Sequence, residues 1–157
     1  MIALSLPPIA AKLREDSTGT KIYDRLRRRY VALTPEEWVR QHFVEFLITE
    51  KRYPASLMAN EVGLSLNGAA RRCDTVVFDR GGRPAVIVEY KAPTVSITQK
   101  VFDQIVRYNM VLRAGVLIVS NGLSHYCCRV DYKNRQVVFL ADIPDFEALQ
   151  MVIGRET

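Results

Sequence analysis

The order of periodic segments predicts an α/β (α+β) fold, a mixed central β-sheet flanked by helices. Three observations carry this. Helical stripes lie near residues 34–51 and 96–115. β-rich runs between and after them are joined in pairs by short turns at 80–83 and 133–134, the mark of hairpins. A short, fully apolar run, Val116 to Val119, stands alone after the second helix.

From the N-terminus, residues 1–20 read as an irregular arm: Pro7-Pro8 is extended and Ser17-Thr18-Gly19 is a turn. Ile22-Tyr23-Asp24 and Arg29-Tyr30-Val31 read as short strands around a basic connection, Arg25 to Arg28. Thr34-Pro35-Glu36-Glu37 is a strong helix start, with an N-cap, proline at the first helical position and a glutamate three residues after the cap. Trp38, His42, Phe43, Phe46 and Leu47 follow on one face, and the helix should end near Lys51. A connector containing Glu61 leads to strands over Arg71–Asp79 and Pro84–Tyr90, with Gly81-Gly82 as a two-residue loop. Ser96-Ile97-Thr98-Gln99 reads as a second capping box. Ile97, Val101, Ile105, Tyr108 and Leu112 form a stripe that stops at Gly115. After Val116–Val119 come a turn at Asn121-Gly122, a hairpin of 125–130 with 136–140, and a terminal helix over 142–153.

The chain of 157 residues is expected to be one domain, 1–157. Apolar residues are 48% and charged residues 25%, which excludes a disordered or collagen-like chain. No apolar run approaches the ~20 residues that cross a bilayer, and the start lacks a secretory signal. Cys73, Cys127 and Cys128 are odd in number, with two adjacent, so no disulfide framework is expected. A cytoplasmic protein without membrane partners is therefore expected. With His42 and His125 as the two histidines and no CxxC, a structural zinc site is not expected. The net charge of +5 suits a polyanionic partner.

The hairpin register carries the chemistry. A loop at Gly81-Gly82 sets Asp74 opposite Glu89 and Arg72 opposite Lys91. Facing Cβ atoms lie ~4.5–5.5 Å apart, and like charges there repel. A hard divalent cation removes that cost by taking carboxylate oxygens. Side chains alternate, so Lys91 shares a face with Glu89 at the margin of an apolar patch. Carboxylates holding Mg²⁺ beside a lysine suit phosphodiester hydrolysis: the ion stabilises phosphate charge and acidifies water, and the ammonium supports both. Glu-x-Lys alone says little; Asp131-Tyr132-Lys133 fits the same pattern and reads as a surface turn.

Arg72-Cys73-Asp74-Thr75-Val76-Val77-Phe78-Asp79 followed by Val88-Glu89-Tyr90-Lys91-Ala92-Pro93 resembles the core of PD-(D/E)xK nucleases, with Cys73 in place of the proline. More closely, the chain resembles the N-terminal nuclease domain of type I restriction enzyme R subunits. Leu33 to Gln41, Gln104-Ile105-Val106-Arg107-Tyr108-Asn109 and Val119-Ser120-Asn121-Gly122 extend the likeness over about residues 20–145. The resemblance implies a restriction-endonuclease-like fold and Mg²⁺-dependent DNA cleavage, with Mn²⁺ as a substitute, giving a 5′-phosphate and a 3′-hydroxyl. It makes Asp74, Glu89 and the Tyr90 backbone carbonyl metal ligands and Lys91 the catalytic lysine. Gln104 and Tyr108 match a QxxxY motif that lies beside the active site in relatives. It also suggests restriction-system subunits or a motor protein as partners. The chain has no room for the helicase motor of those subunits, so an isolated domain or a stand-alone relative is expected. A homodimer, or two visits by one chain, would account for cutting both strands.

Each residue has a plainer reading. Gln104 and Tyr108 would be a surface residue and part of the core stripe. Glu37 fits its capping box better than a metal site, with Glu61 a comparable weak candidate. Arg27, Arg28, Arg29, Arg71 and Arg72 would be a solvated face rather than phosphate contacts. For the whole chain the alternatives are a non-catalytic DNA- or protein-binding module that keeps the fold, and a nuclease directed at RNA or at nucleic-acid structure.

Overall fold

The computed structural model describes residues 1–154, apart from the side chains of Leu66 and Tyr108. The presumed irregular arm carries the first strand. β1 (Leu13–Asp16), β2 (Gly19–Asp24) and β3 (Arg29–Ala32) form an antiparallel meander in that order. Asp16 starts its first turn by accepting hydrogen bonds from Thr18 N (2.8 Å) and Thr18 Oγ1 (2.5 Å). Helix α1 (Pro35–Thr49) begins as expected, with Thr34 Oγ1 accepting from Glu37 N at 3.0 Å.

The main sheet has six strands, ordered as they occur in the chain: β4 (Met58–Leu66), β5 (Ala69–Phe78), β6 (Pro84–Tyr90), β7 (Val116–Ser120), β8 (His125–Asp131) and β9 (Gln136–Leu140). All neighbours are antiparallel except β6 and β7, which helix α2 (Gln99–Leu112) joins as a crossover. Those two strands are buried on both faces, which explains their continuous apolar runs. On one face Val77, Val86, Val88, Tyr90, Val116 and Ile118 pack with Val39, Phe43 and Leu47 of α1. On the other, Val76, Ile87, Leu117 and Val119 pack with Ile105 of α2.

The structure corrects several boundaries. The connector around Glu61 is the nine-residue strand β4, turned into β5 at Asn67-Gly68 with φ of +51° and +77°. The terminal helix shrinks to α3 (Leu149–Ile153). Pro144 disfavours helix at the residue before it, and Asp145 Oδ1 takes Ala148 N at 3.0 Å, which makes a turn instead. Ser96 caps nothing: α2 starts at Gln99 behind Thr98, whose side chain makes no cap bond. Arg113, left-handed at φ +53°, ends α2. Gly115 is needed for space, because a Cβ there would lie 2.5 Å from Ile153. All three cysteines are free and buried. Among the described residues no helix is long and apolar enough to cross a membrane.

Candidate active site

The β5–β6 hairpin reaches the expected register by an unexpected route. Its loop has three residues, Arg80 to Gly82, closed by Asp79 N donating to Arg83 O at 2.8 Å. Asp79 Oδ1 accepts from Gly81 N and Arg83 N, both at 2.9 Å, and Gly82 takes φ +80°. Phe78 therefore pairs with Pro84, and a bulge beyond Val77 restores the pairs Val77–Val86, Val76–Ile87 and Thr75–Val88. The extra loop residue and the bulge cancel.

The ladder ends at Thr75–Val88, and Asp74 begins the site. Its Oδ2 accepts a hydrogen bond from Tyr90 N at 2.8 Å, which places its carboxylate beside Glu89. On its other flank the β4–β5 ladder skips Asp74, because Glu61 is left-handed at φ +56°. Asn60 and Thr75 hydrogen-bond on the α1 side, whereas Val62 and Cys73 pack on the α2 side. The strand pair changes face at Asp74. The β5–β6 ladder stops before it reaches the expected Arg72–Lys91 pair; on the other flank Arg72 pairs with Gly63, and its guanidinium lies 3.9 Å from Glu61.

Glu89 is 5% exposed. Its Oε1 accepts from Gln104 Nε2 at 3.3 Å and lies 3.6 Å from Lys91 Nζ. Its Oε2 is buried without a hydrogen-bond partner. Burial, and then the charge of Asp74, push the Glu89 carboxyl up to about 8, with Lys91 opposing. The Asp74 carboxyl is raised too, by burial, against the pull of Tyr90 N and Arg40. Glu36, in the first turn of α1, adds its charge to both.

Behind the pair lies a polar network that the sequence did not announce. Arg40 is 6% exposed and stands 5.7 Å from the Tyr90 ring centroid. It donates to Asp74 O and Glu61 Oε1, both at 2.5 Å, and pairs with Glu37 at 3.1 Å. Glu37 also takes Arg27 (2.6 Å) and Gln41 (2.9 Å). Its side chain is therefore committed to these cations rather than to the Thr34 amide, and only half of the expected capping box forms. Arg27 also pairs with Asp24, which takes Asn60 Nδ2 at 3.0 Å. Asn60 takes Thr75 Oγ1 (2.7 Å), which takes Tyr90 Oη (2.9 Å).

The structure thus gathers Asp74, Glu89, Lys91 and Gln104. The Tyr90 main chain adjoins them, while its ring points to the α1 face. Tyr108 falls within α2, and its side chain lies outside the described residues. Asn121 serves the turn, with Oδ1 accepting from Leu123 N (3.0 Å) and Ser124 N (2.8 Å). Glu36 and Arg40 are the residues that sequence reasoning missed. An arginine inside the apolar register Val39–Phe43 was the available signal for the second.

A divalent cation fits this donor set in a limited way. Among the described residues no three His, Cys, Asp or Glu side chains form a metal cage. Two mutually repelling carboxylates with one unpartnered oxygen do offer hard ligands, and Mg²⁺ commonly binds through one or two carboxylates and keeps several waters.

A family model described as type I restriction enzyme R protein N terminus (HSDR_N) matches residues 35–144, which hold every residue of the site. The chain belongs to this family. No curated protein matches its sequence. Among solved structures, this HSDR_N chain is similar to a fragment assigned to the HsdR subunit of a type I restriction enzyme from Vibrio vulnificus, at 18% identity and a TM-score of 0.53. That match covers 80% of this chain and 27% of the Vibrio fragment, so the chain spans about a quarter of that relative. A protein from Anabaena variabilis assigned as a DUF820 nuclease is similar at 11% identity and TM-score 0.47, covering 90% of this chain and 93% of that one. A DrdV–DNA complex is similar at 17% identity and TM-score 0.43, covering 79% and 12%. At these identities the likeness is one of fold, and it rests on the Vibrio fragment.

Proposed function

We propose that this domain is a divalent-cation-dependent endodeoxyribonuclease. The observation that carries the reading is the pair of half-buried Asp74 and buried Glu89, with an unpartnered Glu89 oxygen and Lys91 Nζ 3.6 Å from the other. Two such carboxyls repel, and among the described residues Lys91 Nζ and the Gln104 amide face Glu89 Oε1. A Mg²⁺ or Mn²⁺ ion held by Asp74, Glu89 and the Tyr90 carbonyl would supply positive charge to the phosphoryl oxygens and acidify the attacking water.

The chain's own groups then have separate tasks. Gln104 fixes the Glu89 carboxylate by donating to Oε1. Tyr90 N fixes the Asp74 carboxylate by donating to Oδ2. Lys91 Nζ, 3.6 Å from Glu89 Oε1, neutralises charge that develops on the scissile phosphate. Arg40 positions the Asp74 main chain from behind. Scission leaves a 5′-phosphate and a 3′-hydroxyl. DNA is the proposed partner, in the setting of a restriction system.

The test is incubation of the purified protein with DNA and Mg²⁺ or Mn²⁺, beside Lys91→Ala and Asp74→Ala. Cleavage by the wild type alone is expected. Equal trace activity in all three would overturn the assignment, and DNA binding without any scission would favour a binding module.

A further inference from the structure

We propose that the outer face of the β1–β2–β3 meander grips the phosphodiester backbone of DNA. This inference rests on the reading of DNA as the substrate, and it concerns residues that precede the family match at 35–144. The pairs Arg14–Lys21 and Tyr23–Tyr30 put these four side chains on one face of the meander. Ile22 and Asp24 take the other face and are buried against the body, at 1% and 0% exposure. Lys12 precedes β1, and its carbonyl accepts from Tyr23 N at 2.9 Å.

The two tyrosines form a floor. Their rings meet edge to face, 5.3 Å between centroids. The Arg14 guanidinium sits 4.1 Å over Tyr30, and the Lys12 ammonium 5.5 Å over Tyr23. Ring contacts of this kind hold cations in place, which lowers the ordering cost of binding. One acid, Asp16, lies at the end of this face, with its carboxylate turned to Thr18.

Cations in this segment divide into two sets. Arg25 pairs with Glu45 at 2.8 Å, and Arg27 with Asp24 and Glu37. Lys12, Arg14 and Lys21 form no ion pair among the described residues. An ordered cationic face over aromatic rings, offset only by Asp16 near Lys21 and Arg14, is complementary to a polyanion. It offers phosphate contacts and no base-edge reader, so it would position DNA without selecting sequence. Arg27 links the meander to Glu37, Glu37 to Arg40, and Arg40 to the Asp74 carbonyl. DNA held on this face is therefore fixed relative to the carboxylates.

The test is binding of a labelled DNA duplex to Lys91→Ala protein across a salt series, with and without the added changes Lys12→Ala, Arg14→Ala and Lys21→Ala. Binding by Lys91→Ala protein is read without scission, so failure of the nuclease reading leaves this measurement intact. Loss of three phosphate contacts should flatten the slope of log affinity against log salt by about 2–3 and weaken binding about tenfold or more at low salt. The charge-conserving set Lys12→Arg, Arg14→Lys and Lys21→Arg should keep most of both. Unchanged binding in the alanine set, equal loss in the charge-conserving set, no duplex binding at all, or tighter binding of RNA of the same length would each overturn the proposal.

Discussion

The two sides of the main sheet treat buried charge in opposite ways. On the α1 side, Asp24 is fully buried, yet its carboxyl stays below the usual range. Burial pushes it up, but Arg27, Asn60 Nδ2 and Leu26 N together outweigh that push. Glu37 and Arg40 are likewise set against opposite charges, although Arg40 Nε, 3.1 Å from Glu37 Oε2, makes no hydrogen bond. On the α2 side Asp74 and Glu89 are both raised, and one Glu89 oxygen has no partner. Satisfied burial builds structure. Two carboxyls raised together are where we propose that a cation binds.

The sharpest break of this comparison is in catalysis. Lys91→Ala should lower cleavage by about 10²–10³-fold, the usual worth of one preorganised charge-stabilising group, and should lower stability far less, through the lost pair with Glu89. A steady-state cleavage assay beside a denaturant melt checks both halves.

Stability should move in opposite directions on the two sides. Asp24→Asn leaves Arg27 without a full counter-charge and should destabilise by about 3–5 kcal/mol. Glu89→Gln removes a repelled carboxylate and should stabilise the metal-free protein by about 1–2 kcal/mol at pH 8, at the expense of activity. Urea unfolding without divalent ions reads both, and equal signs would dissolve the contrast.

The pH dependence follows from the same groups. The Glu89 carboxyl rises from 4.5 to about 8 on folding, so its protonated form favours the fold. Its contribution is complete below about pH 4.5 and is lost as pH climbs through 8. Asp74 acts in the same sense. The melting temperature of metal-free protein should therefore fall between about pH 4.5 and 8, the range those two values span. Glu89→Gln should remove most of the slope. A flat wild-type profile would show that the two carboxyls do not repel.

Smallest in catalysis is the effect of Gly115→Ala. Its Cβ would meet Ile153 at 2.5 Å, and overpacking of this kind costs about 1–3 kcal/mol. Since Gly115 lies away from the carboxylates, cleavage below the melting temperature should not change.

Periodicity made α1, α2 and the paired strands of the sheet legible, because apolar spacing reports burial directly. The register brought Asp74 and Glu89 near one another on paper, with a longer loop and a bulge that cancel, but the ladder stops at Thr75–Val88 and the Tyr90 N bond to Asp74 completes the approach. Strand β4 was missed despite Asn67-Gly68, a two-residue hairpin signal, because Glu61 interrupts its alternation with a left-handed residue. Glu37 looked like a cap because local spacing shows the Thr34 amide but not Arg27 or Arg40. Tertiary partners decide such residues, and they lie far off in sequence. Gln104 was placed by resemblance to a motif, and its hydrogen bond to Glu89 gives that placement a physical reason.

Anomalous scattering from a crystal soaked in Mn²⁺ bears most directly on the Asp74–Glu89 pair as a cation site. A peak between the two carboxylates, absent from crystals of Glu89→Gln, is the expected result. An ordered Mn²⁺-soaked crystal with no peak there, or with Lys91 Nζ bridging both carboxylates in its place, would contradict the account.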